Sequence, residues 1–188
     1  MNKNDRRYQR TRRNIKEAFL RLLQQKSFEK ININDISALA DINRSTFYLH
    51  YEDKYALLDE CIKEKLSFLV SNSEQEAPPD VSPDAEERIR RSLEYFIQEK
   101  EFFRIMLREE NAPFFTPAFR EVLETILKPL FAVQKESNPL QIEFEIHLRL
   151  SALSGILEWW LIRDIPIPLE NMTRNMMQVL KQLETPCP

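Results

Sequence analysis

The side chains best suited to chemistry lie close together between positions 44 and 50. Arg44 can donate two hydrogen bonds to the edge of a guanine, and the hydroxyls of Ser45 and Thr46 suit phosphates or bases. Tyr48 and His50 carry polar groups of the kind that bind the phosphate backbone of DNA. If the segment is a short helix, these five side chains project to solvent and form a surface suited to a DNA groove.

A first short helix and a tight turn must precede this segment to position it. Asn32 can cap the first helix, and Asp35 then lies near the positive end of the helix dipole. The apolar spacing ends this helix near residues 39–40. Asp41-Ile42 is then expected to form the turn.

The second short helix completes the motif. Asn43 is expected to cap it, and it is expected to cover residues 44–50. With the basic helix predicted over about 9–25, the arrangement predicts a helix-turn-helix at roughly residues 32–51. A small helical bundle with an incidental polar face is the alternative that the spacing leaves open.

Charge is divided unevenly along the chain. Residues 1–50 hold eleven lysines and arginines against five acidic residues, a net charge of +6. Residues 51–188 hold sixteen against twenty-five, a net charge of −9. A basic N-terminal part on an acidic remainder indicates a polyanionic partner for the former. A solvated basic helix without a partner is the alternative.

The number and placement of the glycine and proline residues predict an all-α fold. Gly155 is the only glycine, and all eleven prolines lie at Pro78 or later. Sheets need glycine at hairpins and bulges, whereas helices tolerate its scarcity. About nine helices are expected, in a helix-turn-helix domain (1–52) and a larger regulatory and dimerisation domain (53–188). Beyond the first three, the helices are expected at 52–70, 82–99, 102–107, 116–131 (kinked or ended by Pro129), 140–163 and 169–183.

Several classes of protein are disfavoured. Cys61 and Cys187 show neither metal-ligand spacing nor a disulfide framework. The N-terminal residues 1–13 lack the apolar segment of a secretory signal, and the charges within 142–162 argue against a membrane span. With two histidines and no phosphate-binding loop, the chain is not expected to be an enzyme or to hold a metal or cofactor. A cytoplasmic location is expected.

Residues 34–51, with Lys54 and Leu57 beyond them, resemble the signature of the TetR-type transcription regulators. The core of the motif is Thr46-Phe47-Tyr48-x-His50-Tyr51-x-x-Lys54, and the strong match covers about residues 10–60. Ser27 and Asp41 stand where the family usually has glycine. Aspartate tolerates the left-handed conformation that the turn can require, so Asp41 is a plausible substitute.

The resemblance implies roles for particular side chains. Phosphate contacts are expected from Tyr48, His50 and Lys54. Contacts with base edges or the groove wall are expected from Arg44, Ser45, Thr46 and Leu49. Asn32 and Asn34 are expected to meet the DNA backbone from the other side, and Arg10, Arg12 and Arg13 to add minor-groove or phosphate contacts.

The segment 140–163 is apolar nearly all round, which is typical of a helix buried on two sides. Gly155 within it would permit the close approach of another helix. The resemblance implies a homodimer held by the last two helices of each subunit; a monomer with a thick core is the alternative. The expected interface residues are Leu150, Leu153, Ser154, Gly155, Leu157, Leu161, Met176 and Leu180.

Regulators of this type usually sense a small molecule in the second domain. A pocket for an apolar or aromatic ligand is expected from Phe102, Phe103, Met106, Phe115, Phe119, Phe144, His147 and Trp159. Aromatic residues at helical spacing also form plain core, and some relatives act with a protein co-regulator instead of a ligand.

These observations predict a dimeric regulator that binds a pseudo-palindromic double-stranded DNA operator. Repression relieved by a small ligand is the expected mode, with activation or action through a protein partner as the alternative. A protein-interaction module whose basic part serves another acidic partner is the competing class.

Overall fold

The computed structural model describes residues 6–74, 83–131 and 139–182. Within these ranges the chain is all-helical, with nine α-helices and no strand, which confirms the predicted fold class. The helices are α1 (Arg6–Gln25), α2 (Ile33–Leu39), α3 (Arg44–Tyr48), α4 (Lys54–Glu74), α5 (Pro83–Gln98), α6 (Lys100–Met106), α7 (Ala112–Phe131), α8 (Pro139–Ile162) and α9 (Leu169–Gln182), with a short 3-10 helix at Phe28–Lys30 between α1 and α2.

Helices α1 to α3 and the 3-10 helix form the head of the molecule (residues 6–51), and α4 to α9 form its body. The buried face of α1 supplies most of the core of the head, because its apolar side chains recur every three or four residues. Phe47 of α3 is fully buried in the same core. The buried residues of α1 are Tyr8, Ile15, Ala18, Phe19, Leu22 and Leu23.

The start of α2 is fixed by a reciprocal pair of hydrogen bonds, of which the sequence predicts the cap from Asn32. The amide of Asp35 donates to Asn32 Oδ1 over 2.9 Å, and the amide of Asn32 donates to Asp35 Oδ2 over 3.0 Å. The ammonium of Lys26 lies 2.6 Å from the same carboxylate. The hydrogen bond from Lys26, followed by that from the Asn32 amide, lowers the pKa of Asp35.

The turn between α2 and α3 is made at Asp41, whose φ of 53° lies in the left-handed region. The expectation that an aspartate replaces glycine there is therefore confirmed. Asn43 precedes α3, but in the described part of the chain its side chain makes no capping bond. The helix ends at Tyr48, two residues earlier than predicted, because the next amides reach back only three residues, as in His50 to Phe47 O (2.9 Å).

The body is built from longer helices that pack around buried aromatic side chains. Helix α7 packs against α4 and α8, and α5 packs against α9. Trp160 of α8 is fully buried, and its indole N–H donates to the carbonyl of Ile167 over 2.9 Å. None of the helices in the described ranges combines the length and the apolar character that crossing a membrane requires.

Helix α7 begins earlier than the sequence predicts. The expected start was Thr116, whereas the helix begins at Ala112. Pro113 lies in its first turn, where the missing amide of proline costs nothing, so this residue does not break the helix. Pro129 lies inside α7, which continues to Phe131, so it does not end the helix at that point either.

The positive φ of Asp41 generates a stability prediction. We expect Asp41→Val to lower the free energy of unfolding by about 1–2 kcal/mol, because a branched side chain is strained at this φ. Asp41→Gly is the control and should leave stability unchanged or slightly raised, since the side chain of Asp41 is exposed. Urea unfolding followed by circular dichroism measures both, and equal stability of the two variants would contradict the strain.

Candidate nucleic-acid interface

Helix α3 is held by one buried side chain and presents its remaining side chains outward. Phe47 is completely buried, whereas Tyr48 is 46% and Leu49 63% exposed. Arg44 and Ser45 are also exposed, and Thr46 is half-buried. An exposed leucine of this size beside a guanidinium and hydroxyls fits a surface that contacts the sugar, methyl and base edges of a groove.

Arg44 and Tyr48 form a pair on this surface. The Arg44 Nη2 donates to the Tyr48 hydroxyl over 3.2 Å, and its guanidinium carbon lies 5.7 Å from the centre of the tyrosine ring. The two residues are four apart, so they share one face of α3. The hydrogen bond restricts the directions open to the guanidinium, which reduces the entropy that any further contact of Arg44 would cost.

His50 has a more buried position than a phosphate ligand requires. Its ring lies 4.2 Å from that of Tyr8, and its Nδ1 is buried without a hydrogen-bond partner among the described atoms. Burial, and then the charge of Arg12, lowers the pKa of His50. Both effects favour the neutral imidazole, so the expected phosphate contact would come from its N–H without the help of a positive charge.

Lys54 was expected to contact phosphate, but its ammonium is turned toward the protein. It donates to the backbone carbonyls of Phe28, Glu29 and Ile31 over 3.0, 3.2 and 3.0 Å. It also lies 4.5 Å from the centre of the Phe28 ring. A lysine has three donors, and all three are used here. The structure thus assigns Lys54 to the loop that follows α1.

Arg12 also differs from expectation. Its guanidinium forms an ion pair with Glu60 of α4, donates to the Tyr8 hydroxyl and lies over the ring of Tyr51. Glu60 accepts a further hydrogen bond from the Tyr51 hydroxyl and pairs with Lys16. Arg12 therefore joins the head to α4 and does not belong to an extended basic arm, because the whole stretch from Arg6 is helical.

The other arginines and the two asparagines expected to meet DNA lie at exposed positions. Arg10 and Arg13 are exposed on α1, and Asn32 and Asn34 are exposed at the start of α2. Arg10 lines an open polar groove between α1 and the α2–α3 turn. Arg7, Thr11 and Asn14 were not identified from the sequence, although their spacing on α1 places them beside Arg10. The lining includes Arg7, Arg10, Thr11, Asn14, Asp41, Asn43 and Thr46.

The residues expected to form a ligand pocket are not brought together. Five of them are packed into the core of the body, where the ring centres of Phe115 and Phe119 are 5.2 Å apart and those of Phe103 and Phe115 are 6.0 Å apart. Phe102 and Met106 are buried in the same cluster. The other three, Phe144, His147 and Trp159, are exposed on α8, because they lie on the helix face opposite to the core.

The expected dimer residues also divide. Four leucines of α8 face the core of their own chain: Leu150, Leu153, Leu157 and Leu161 are at most 3% exposed. Met176 is buried too, while Ser154 and Leu180 are half-buried. Gly155 is exposed, and apart from its chain neighbours and the surrounding backbone of α8 no described atom lies within 4 Å of where its Cβ would be.

The exposed face of α8 carries a different apolar set. Phe144 is 61%, Leu148 46%, Trp159 44% and Ile162 53% exposed. Their spacings of four, eleven and three residues place them on one side of the helix, together with Gly155. The helix is thus apolar on two faces, as the sequence predicts, but the face turned to solvent is the aromatic one.

Two family models match the chain. The model described as bacterial regulatory proteins, tetR family, matches residues 15–61. The model described as a transcriptional regulator C-terminal region matches residues 84–182, which is more than half of the 188 residues. The first match runs from the middle of α1 to the start of α4, and the second covers α5 to α9.

Individual proteins agree with these matches. The uncharacterized HTH-type transcriptional regulator YxbF of Bacillus subtilis (strain 168) is 23% identical over 172 residues, or 89% of this chain and 44% of the relative. The chain therefore spans less than half the length of that curated relative. A TetR transcriptional regulator from Streptococcus agalactiae 2603V superposes with a TM-score of 0.76 at 29% identity, covering 96% of this chain and 97% of the other.

A third similarity concerns the fold alone. NalD of Pseudomonas aeruginosa, described as the secondary repressor of the MexAB-OprM multidrug efflux pump, superposes with a TM-score of 0.69. The identity is 15%, over 95% of this chain and 97% of NalD.

The contacts of Lys54 generate a prediction that separates its two roles. Lys54→Met should lower the free energy of unfolding by about 2 kcal/mol, because three carbonyls lose a charged donor. The salt dependence of duplex binding should stay unchanged, since no phosphate contact is removed. Urea unfolding and binding titrations at several salt concentrations measure the two effects.

Lys30→Met is the matched control, because Lys30 is exposed near the same loop. It should change stability by less than about 0.5 kcal/mol. A Lys54→Met variant of full stability, whose salt slope falls by about 0.9, would instead establish the phosphate contact.

Proposed function

Because the chain belongs to the TetR family of DNA-binding transcription regulators, we propose that it is a homodimer that reads a pseudo-palindromic operator with α3. The observation that carries the proposal is the outward set of Arg44, Ser45, Tyr48 and Leu49 on a helix fixed by the buried Phe47. Two such helices about 34–36 Å apart would enter successive turns of the major groove on one side of the duplex.

The roles within the head follow from the contacts. Arg44, oriented by Tyr48, is the proposed reader of a guanine edge, with Ser45 and Thr46 beside it. Arg10, Arg13, Asn32 and Asn34 are the proposed contacts with phosphate or the minor groove, since all four side chains are exposed. Arg12 and Lys54 are proposed to hold the head in place without touching DNA.

A second copy of the chain is the proposed occupant of the exposed face of α8. Phe144, Leu148, Trp159 and Ile162 form an apolar stripe that would pack against the same stripe of a partner around a two-fold axis. Gly155 lies on this face and leaves room for a close approach of the partner helix. This stripe replaces the leucines that were first expected at the interface, which are buried in their own chain.

Repression is the proposed sign of regulation, supported by the description of NalD, a neighbour in fold, as a repressor. Release from DNA by a small apolar or aromatic ligand in the body is the proposed control. Regulation through a protein partner, or activation, is the second candidate, and the close packing of Phe103, Phe115 and Phe119 favours a protein partner over a ligand held among these rings. The same proposal puts the protein in the cytoplasm with its operator and gives it no catalytic activity.

Selection of random DNA duplexes by the purified protein tests the proposed function. We expect enrichment of a pseudo-palindrome, bound by two chains per duplex, with affinity that falls as salt rises. The sites should show equivalent half-sites about one helical turn apart. A folded protein that enriches no sequence would contradict the proposal.

Arg44→Ala, titrated on the selected duplex and on single-base variants of it, locates the base contact. It should cost about 1–3 kcal/mol on the selected duplex and remove the preference at one position of each half-site. Arg163→Ala, which removes an exposed arginine of the body, is the control and should bind normally. A uniform loss on all duplexes would show that Arg44 contacts phosphate only.

The apolar stripe on α8 generates a separate prediction about the oligomeric state of the protein in solution. Leu148→Glu and Phe144→Glu should each convert the protein to a folded monomer, because a carboxylate would be buried against the partner. Light scattering at several concentrations measures the change. Glu121→Lys alters an exposed charge on α7 and should leave the dimer intact. Dimers of unchanged stability in both stripe variants would remove α8 from the interface.

A further inference from the structure

The buried side chain of Asn111 connects the head to the body, and the proposed function gives it no role so far. It lies in the turn between α6 and α7 and is 1% exposed. Its Nδ2 donates to the carbonyl of Ile105 over 2.9 Å, and its Oδ1 accepts from the amide of Phe28 over 3.2 Å. The second bond joins positions 83 residues apart, one in the body and one in the head.

The amide of Phe28 needs a partner from outside its own segment. Phe28 is the first residue of the 3-10 helix, and the first amides of any helix lack a partner within it. Its side chain is fully buried, so water does not replace the missing acceptor. An unsatisfied buried amide is costly, and the Asn111 side chain removes that cost.

The same loop is bound from a second direction. Lys54 at the start of α4 donates to the carbonyls of Phe28, Glu29 and Ile31. The Phe28 ring packs against those of Tyr55 at 5.0 Å and Phe114 at 4.8 Å. The loop after α1 is therefore attached to α4 through its carbonyls and to the α6–α7 turn through its amide.

We propose that Asn111 is a positioning residue for DNA binding: it fixes the loop after α1 to the α6–α7 turn, so that the orientation of the head depends on the place of that turn. The inference rests on the proposed function, since it concerns the same DNA-reading helix. The Nδ2 bond to Ile105 extends the attachment to the last turn of α6. A displacement of α6 thus reaches the head directly, without passing through α4.

The test compares Asn111→Ala with wild type in the full-length protein. Affinity for the selected duplex should fall about tenfold. The head loses its fixed orientation, and the free energy of restoring that orientation is then subtracted from the free energy of binding. Hydrogen exchange of the Phe28 amide, followed by NMR, should accelerate, while exchange in the middle of α1 stays slow. The exchange measurement needs no DNA and reports on the joint itself.

Two further variants separate positioning from stability. Met172→Ala opens a cavity in α9, where Met172 is 1% exposed, and should lower the melting temperature while duplex affinity and Phe28 exchange stay normal. Asn111→Asp keeps an acceptor oxygen for the Phe28 amide but sets a second acceptor against the Ile105 carbonyl, so it should protect the Phe28 amide better than Asn111→Ala while losing the attachment to α6.

The outcomes distinguish the inference from the proposed function. Normal duplex binding by wild type and by a folded Asn111→Ala variant, or unchanged protection of the Phe28 amide, would overturn the inference alone. Equal losses of affinity in Asn111→Ala and in Met172→Ala would also overturn it, since stability would then explain both. A wild-type protein that binds no duplex would overturn the proposed function and the inference together.

Discussion

The arrangement of the molecule depends on the burial of one backbone loop, the segment around Phe28 between α1 and α2. A buried aromatic ring takes its neighbouring amides and carbonyls out of water, and each of those groups then requires a partner. The partners come from two elements of the body, the ammonium of Lys54 and the amide side chain of Asn111. Burying the loop thus fixes how the head sits on the body.

Ion pairs between the head and α4 decide which basic residues remain available to contact DNA. Arg12 and Lys16 project toward α4, where Glu60 pairs with both and Glu64 also pairs with Lys16. Arg10, Arg13 and Arg44 lie on exposed positions. The net charge of the N-terminal part therefore overstates the charge available to a partner. Cations that are partly buried and paired contribute to the joint, and only exposed ones contribute strongly to a field that attracts phosphate.

Local features could be predicted from the sequence because their causes are local. The scarcity of glycine indicated helices, the pair Asn32 and Asp35 indicated the cap of α2, and Asp41 indicated a left-handed turn. The cap and the turn each depend on residues within four positions of one another, and the scarcity of glycine acts at every position where a sheet would need it. Helix α7 was expected to start at Thr116 but begins at Ala112, because proline, here Pro113, is well tolerated in a first turn.

The contacts of long side chains could not be predicted in the same way. Lys54 and Arg12 each have a flexible stem, and the carbonyls that accept from Lys54 and the Glu60 carboxylate that pairs with Arg12 lie more than twenty residues away in sequence. A motif that places a lysine near a recognition helix does not show whether its ammonium points to solvent or to a row of carbonyls. Carbonyls left without partners at the end of a short helix are the physical signal, and only the fold locates them.

Helix α8 shows the limit of reasoning from periodicity. A helix that is apolar nearly all round needs two apolar partners, so the existence of an inner and an outer face followed from the sequence. Periodicity contains no information on which face is which. Leu150, Leu153 and Leu157 pack inward because α6 and α7 meet them there, and Phe144 and Trp159 are consequently left outside. Exposed aromatic rings of this size in a row are costly for a monomer, and this cost is the physical argument for a second subunit.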